Sequence, residues 1–276
     1  MGVNAHQLTY APMQNIAQPL SEAQIKAKIR HMLFPKGIRC PKCHRRYSSK
    51  VVDRYFCKIC RLKFSLKRCT PFAHSKLSYE QLWLLLRCWL NELSFEDAEA
   101  MMELSHVTVR RWYRRFNALI PQEQIRLGGT VEVDEAFIGR QRHRNQQIVV
   151  GAIERHSGQV AFRPIPDREQ ETLDHFLLWH VDRASLVCTD AHAGYLNITE
   201  FFGYGHSVVN HSLGHYGITN HIENTWMRLR RFIRKVYHHV WKEHLPRLLK
   251  EFQARINHAV AFASPTNFLS YVFQLS

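Results

Sequence analysis

Apolar residues recur at helical spacing in SEAQIKAKIRHMLF, from Ser21, which opens on a capping serine with a glutamine three residues on. The same period predicts helices over Tyr79–Leu90 and Ser94–Glu103, and a third from about His106 to Leu119 that Pro121 ends. After Gly128 and Gly129 the texture changes. TVEVDEAFI, QQIVVGAIE and QVAFRPI alternate and are rich in β-branched residues, so they read as three consecutive strands joined by short polar or Gly-containing turns. REQETLDHFLLWHV then predicts a helix, SLVCTD a strand, the segment from about Ala191 a short helix, and HSVVN a strand. ITNHIENTWMRLRRFIRKV, Ile218 to Val236, places Ile222, Trp226, Leu229, Ile233 and Val236 on one apolar stripe of a further helix. LPRLLKEFQARIN adds a last one. The order β-β-β-α-β-α-β-α predicts an α/β unit, a mixed sheet with helices on its faces.

These elements divide the chain into a flexible tail (1–20), a helix plus a cysteine-bearing segment (21–70), a helical region (71–127), the α/β unit (128–260) and a C-terminal tail (261–276). Composition then narrows the partners. Lys+Arg number 38 against 23 Asp+Glu, a formal net charge of +15 over 276 residues. That excess favours nucleic acid or an anionic membrane surface. Scattered basicity is the plain alternative, but RRWYRRF and RLRRFIRK gather the charge into dense helical patches. The start MGVNAHQLTYAPMQNIAQ has no basic segment followed by an apolar run, so no export signal is expected. LWLLLRCWL is short and contains Arg87, which makes it a core helix and not a membrane span. No P-loop glycine–lysine motif is present, so ATP dependence is not expected.

Four of the seven cysteines form two pairs, CPKC (Cys40, Cys43) and CKIC (Cys57, Cys60). Two such knuckles can converge on one tetrahedral ion, and four thiolates about 2.3 Å from Zn²⁺ make a closed, structural site. Redox or iron–sulfur chemistry is the alternative. Lys42, Arg45, Arg46, Lys50, Arg54, Lys58, Arg61 and Lys63 suit phosphate contacts, or simply the solvated surface of a small domain. SFEDAEAMMELSHVTVRRWYRRF has the cadence of a helix-turn-helix, with Ser105 as cap and Val109, Trp112 and Phe116 facing inward. Thr108, Arg110, Arg111, Arg114 and Arg115 would face outward, as base edges and phosphates require. A plain helical hairpin would look the same in outline.

VEVDEAF puts Asp134 within a strand and SLVCTD puts Asp190 at a strand end. A buried aspartate is costly, so such positions usually mark a cap, a turn or a metal ligand. In a ribonuclease-H-like topology the two strands are neighbours, and Glu223 can project toward them from a flanking helix. Three acids so placed could hold two Mg²⁺ (or Mn²⁺) ions, about 3.5–4 Å apart, for phosphoryl transfer. Arg230 follows Glu223 by seven positions and shares its helix face, where it could hold a phosphate, with Arg231 and Arg234 beside it. Glu132, deeper in the strand, and Glu135, on the opposite face, are weaker candidates. His206, His211, His215 and His221 fit no tight ligand template.

The ribbon, TPFAHSKLSYEQLW, VEVDEAFIG, TDAHAGY and HIENTWMRLRRF…YHHV…HLPRLLKEFQARIN resemble, in order and spacing, a DDE-type insertion-sequence transposase. The likeness is to the zinc-ribbon group related to eukaryotic Merlin elements, and it covers about Ser21 to Asn257. The acid intervals, 190 − 134 = 56 and 223 − 190 = 33, are close to those of a DDE triad. The resemblance implies a ribonuclease-H-like catalytic domain with Asp134, Asp190 and Glu223 as magnesium ligands. Asn220, one turn before Glu223, is the rival third residue. It further implies one structural zinc, binding to double-stranded DNA at element ends and target, metal-dependent cleavage and strand transfer, and a homodimer or larger assembly. The expected location is cytoplasm or nucleoid in a bacterium, or the nucleus of a eukaryote. A DNA-binding regulator derived from a transposase and a structure-specific nuclease are the alternative functions.

Overall fold

The computed structural model describes residues 20–46, 48–51, 54–140, 145–195, 198, 203–209 and 220–274. The expected N-terminal tail up to residue 19, His211 and His215, and most of the short helix expected after Ala191 lie outside the described residues. The chain forms two compact units. Of the described residues, one unit holds those within Gln122–Ala259, and the other combines those from 20 to 121 with those from 260 to 274.

In the second unit, serines decide where helices begin. Ser21 and Ser78 each close a capping box with Gln24 and Gln81, starting α1 (Glu22–Leu33) and α2 (Tyr79–Leu90). Between them lies a small antiparallel sheet of β1 (Ser48–Val51), β2 (Arg54–Cys57) and β3 (Lys63–Phe64). Ser94 caps α3 (Phe95–Met102), which stops where Glu103 turns left-handed. Ser105 precedes α4 (His106–Leu119), but its hydroxyl meets Thr108 Oγ1 at 2.9 Å and makes no bond to a helix amide. The apolar faces of α2 and α4 meet around Trp89, 5.7 Å from Phe116 and 5.1 Å from Phe268.

Phe268 lies in a helix, Pro265–Gln274, within the segment expected as a C-terminal tail. That segment folds back into this unit and buries Phe268, Leu269 and Val272. Each such side chain contributes about 1.5–3 kcal/mol by leaving water. Phe268, Leu269 and Val272 fall on one face at helical spacing, with Asn267 and Ser270 off it, and α1 and α2 supply the surface that this face packs on.

The other unit is built on five strands in the order β6-β5-β4-β7-β8. β4 (Thr130–Ile138), β5 (Gln147–Glu154) and β6 (Val160–Ile165) form an antiparallel meander. Through α5 (Gln170–His180) the chain crosses to β7 (Leu186–Asp190), parallel to β4, and then to β8 (Gly205–Val209), parallel to β7. A three-strand meander extended by parallel strands on its first member is the ribonuclease-H-like sheet. Val131 and Val133 of β4 point to the α5 side, in a core with Val150, Ala152, Leu173 and Phe176. The alternate residues face α6 (Asn220–Phe232) and α7 (Leu245–Asn257), where Phe162 meets Trp226 at 5.5 Å and Phe252 at 5.8 Å.

The helix expected to run unbroken to Val236 instead widens to a π turn over Ile233–Tyr237. The wider turn keeps Val236 buried and lets the Tyr237 hydroxyl donate to Glu251 of α7 at 2.6 Å. Among the described residues, no helix is long and apolar enough to cross a membrane.

Candidate functional site

β4 delivers two acids to one face of the sheet, because Glu132 and Asp134 are two residues apart. Parallel pairing then brings in a third. Thr130 pairs with Leu186, Val131 with Val187 and Glu132 with Cys188. The same offset carries Asp134 level with Asp190, at the end of β7. The sequence interval between these aspartates is thus the pairing register itself, and neighbouring strands lie only about 4.8 Å apart.

Glu223 arrives on α6, and that helix is tied to β4 at two points. Glu132, fully buried, accepts from the backbone amides of His221 (2.9 Å) and Ile222 (3.0 Å). It also accepts from Arg155 Nε (2.7 Å) and pairs with His221 Nδ1 (2.8 Å). A carboxylate at a helix N-terminus satisfies amides that have no partner within the helix and meets the positive end of its dipole. Near the next turn, the Trp226 indole N–H donates to Asp134 Oδ2 at 2.9 Å. Gly151, opposite Asp134 across the β4–β5 pair, provides the room: a Cβ there would lie 2.5 Å from the Trp226 ring. Glu223, three residues before Trp226, is exposed.

Burial pushes the Asp134 carboxyl up, and the nearby charges of Asp190 and Glu223 push it further, against hydrogen bonds from Glu135 and Trp226. This is the negative potential that a divalent cation relieves. The carboxylates are spread more widely than a single closed ligand shell. Among the described residues, only the four cysteines bring three or more ligand atoms within 4.8 Å of one another.

The other two strand acids have protein partners. Glu132 is the helix anchor. Glu135, on the opposite face, accepts from the Tyr195 hydroxyl, and burial above all pushes its carboxyl up to about 7. Asp190 Oδ1 accepts the His192 amide at 3.1 Å. Reading the sequence missed the roles of Glu132, Gly151 and Trp226. The available signals were the two-residue spacing of Glu132 and Asp134 and the helical spacing of Glu223 and Trp226.

The cysteine Sγ atoms lie 3.4 Å apart for Cys40–Cys60 and 3.5 Å apart for Cys43–Cys57. Four thiolates about 2.3 Å from a tetrahedral ion would have edges of about 3.8 Å, so the set fits zinc with little adjustment. Both knuckles turn the same way. His44 and Arg61, each following its second cysteine, have φ of 57° and donate their amides to Cys40 O and Cys57 O at 2.9 Å. Backbone amides, that of Cys60 first, hold the Cys57 thiol down to about 6, favouring the thiolate a metal needs.

On α4, Val109, Trp112, Tyr113 and Phe116 are buried, while Arg110, Arg111 and Arg114 are exposed and Thr108 is half-buried. Arg115 departs from its expected outward position. It is half-buried, donates to Pro71 O at 2.8 Å and lies 4.4 Å over the Trp112 ring. The carbonyls of the 71–73 turn, lying against this side of α4, draw it in. Arg230, Arg231 and Arg234 are exposed.

Two family models match the sequence of this chain. The family model of the ISXO2-like transposase domain matches residues 126–257, and that of the transposase zinc-ribbon domain matches residues 20–63. A protein of Halobacterium salinarum described as an uncharacterized protein in transposable element ISH50 is 29% identical over 142 residues. That alignment covers 48% of this chain and 47% of the relative, so the chain spans about half the length of the curated relative it matches. The HTLV-2 integrase catalytic core domain, solved in complex with magnesium in a trimeric form, is similar over 49% of this chain and 88% of its own, at 12% identity and a TM-score of 0.35. A transposase zinc-ribbon domain over residues 20–63 and an ISXO2-like transposase domain over residues 126–257 thus follow one another along the chain, in the order of a zinc-ribbon insertion-sequence transposase.

Proposed function

We propose that this chain cuts DNA at the ends of a mobile element and joins those ends to a target, with Asp134, Asp190 and Glu223 as its metal-binding acids. The observation that carries the reading is the β4–β7 register, which levels Asp134 with Asp190, together with the anchoring of the Glu223 helix by Glu132. Two Mg²⁺ or Mn²⁺ ions held by these acids would supply Lewis-acid stabilisation of the attacking and leaving oxygens of a phosphodiester. Trp226 fixes the rotamer of Asp134 through its N–H. Glu223 is the third acid in preference to Asn220, since its charge acts on Asp134 and a carboxylate suits Mg²⁺ better than an amide. Arg230 orients the scissile phosphate.

The first step adds water across a phosphodiester, leaving a 3′-hydroxyl on the element and a 5′-phosphate on the other side. In the second, that 3′-oxygen bonds to a target phosphorus, the target 3′-oxygen leaves and takes up a proton, and the number of phosphodiesters is unchanged. Thr108, Arg110, Arg111 and Arg114 face the element DNA, and Arg231 and Arg234 face its backbone. A groove of about 760 Å³ carrying Lys26, Arg30, Lys50 and Arg54 gives phosphates a further track. One zinc ion on Cys40, Cys43, Cys57 and Cys60 holds the ribbon. Joining two ends calls for a homodimer or larger assembly.

The test is cleavage and transfer by purified protein on duplexes carrying the DNA that flanks the gene, with Mg²⁺. Wild type should yield 3′-hydroxyl ends joined to target, and Asp134→Asn, Asp190→Asn and Glu223→Gln should each lose both steps. Cleavage without joining would make the protein a nuclease, and binding without cleavage would make it a regulator. Full activity in Glu223→Gln would remove that residue from the triad.

A further inference from the structure

Past the acids, the same face of β4 ends in a cavity that the cleavage chemistry does not use. Its volume is about 300 Å³, and Ile138, Ile233 and Val240 give it an apolar floor. Trp241, 59% exposed, stands at its wall, with Arg140, His238 and His239 around it. Ile138 lies four residues beyond Asp134, on the same side of the strand and about 13 Å farther along it. Ile233 lies ten residues beyond Glu223, about 15 Å along the helix. The cavity and the acids therefore share one face, at a separation of about four base steps of B-DNA.

The walls are built from conformations that ordinary chain segments avoid. Gly139 has φ of 102°, and a Cβ there would fall 2.1 Å from the carbonyl oxygen of Asn145, so no other residue fits. Asn145 in turn holds the opposite wall: its Nδ2 donates to Val240 O at 2.7 Å, and its Oδ1 accepts the Lys242 amide at 2.8 Å. The backbone is thus gripped on both sides of Trp241, and the exposed indole is presented on a fixed loop. His238 sits at φ 56°, ψ −48°, the centre of a tight turn in which His239 N reaches Tyr237 O at 2.6 Å. Such turns are rare and strained. It follows directly on the π turn, which Tyr237 ties to Glu251, itself held by Arg255 at 2.9 Å. π turns and strained residues concentrate at functional sites, where the surrounding structure holds them against their cost.

We infer that this cavity receives an extrahelical nucleobase of the DNA being processed, stacked on Trp241 over the apolar floor with its phosphate toward Arg140. A planar π-face, imidazoles able to meet a base edge and a cation at the rim match a nucleotide. The inference rests on the DNA-processing reading above. The base comes either from a pair opened in the duplex or from a strand already unpaired, and the substrates below separate the two.

The test uses the full chain and fluorescence anisotropy with three labelled duplexes of one sequence: fully paired, with one bulged thymine, and with an abasic bulge in its place. The wild type should bind the thymine bulge about fivefold or more tightly than the abasic one, the lower range of a base–aromatic stack. If the base comes from an opened pair, 2-aminopurine within the fully paired duplex should also report unstacking on binding. If not, only the bulged duplex responds. Trp241→Ala should abolish the preference for the thymine bulge over the abasic one, and Trp241→Phe should retain it. Equal binding of thymine and abasic bulges, or an unchanged preference in Trp241→Ala, overturns the cavity assignment alone. A wild type that binds none of the duplexes overturns it together with the DNA-processing reading.

Discussion

Replacing Glu132 by alanine should release the helix that carries Glu223 without touching any of the three proposed metal ligands. The carboxylate is fully buried and makes four contacts, to Arg155 Nε, His221 Nδ1 and the amides of His221 and Ile222, at 2.7–3.0 Å. Arg155 and His221 are 32% and 52% exposed at their side chains, so water can replace the carboxylate for both. The Ile222 amide has no such recourse, and a buried amide left unpaired costs about 1–3 kcal/mol. Loss of the helix cap adds about 1 kcal/mol. The sum is about 3 kcal/mol for Glu132→Ala, and less for Glu132→Gln, which keeps the shape and one acceptor. A midpoint shift of about 2–4 °C per kcal/mol then gives a fall in Tm of roughly 6–12 °C.

The assay pairs thermal unfolding of the full chain with hydrogen exchange at His221 and Ile222. The control is Asp182→Asn, which removes the exposed Arg126 pair and should cost less than about 1 kcal/mol. The reasoning fails if Glu132→Ala melts with that control and both amides keep their protection.

Trp226→Phe keeps a ring against Phe162 but removes the donor to Asp134, and should weaken Mg²⁺ activation of cleavage about 10–100-fold with little change in Tm; unchanged metal dependence would remove Trp226 from the site. Gly151→Ala forces the Trp226 ring off its seat, since the new Cβ would stand 2.5 Å from it, and should cost about 1–3 kcal/mol in urea unfolding along with cleavage activity. Cys43→Ser, or chelation, should drop bound zinc from one ion per chain to none by metal analysis and unfold the ribbon, whose buried core among the described residues is Cys40, Cys57 and Phe64. On α4, Arg115→Ala should lower Tm through its lost bonds to the 71–73 turn, whereas Arg111→Ala should leave Tm alone and weaken DNA binding, as read by anisotropy.

The amino-acid pattern alone determined the elements whose signal is local. Strand alternation in TVEVDEAFI and QQIVVGAIE, capping serines before glutamine, and the apolar stripe of the Glu223 helix depend only on neighbours within a few residues, and the order of strands and helices then leaves few sheet topologies. The paired CxxC motifs are legible for the same reason, since a knuckle is a local turn. Tertiary structure decided whatever depends on which surfaces meet. Helix Pro265–Gln274 spaces Phe268, Leu269 and Val272 for one face, but what that face packs on, Trp89, lies far away in sequence and only the fold brings it there. Arg115 turned inward because a distant loop offered carbonyls. Glu132 and Asp134 look alike in VEVDEAF, but one lies under the first turn of α6 and becomes its anchor, while the other meets an indole and two further negative charges. A carboxylate's chemistry is set by its surroundings, and here those come from residues about 90 positions away.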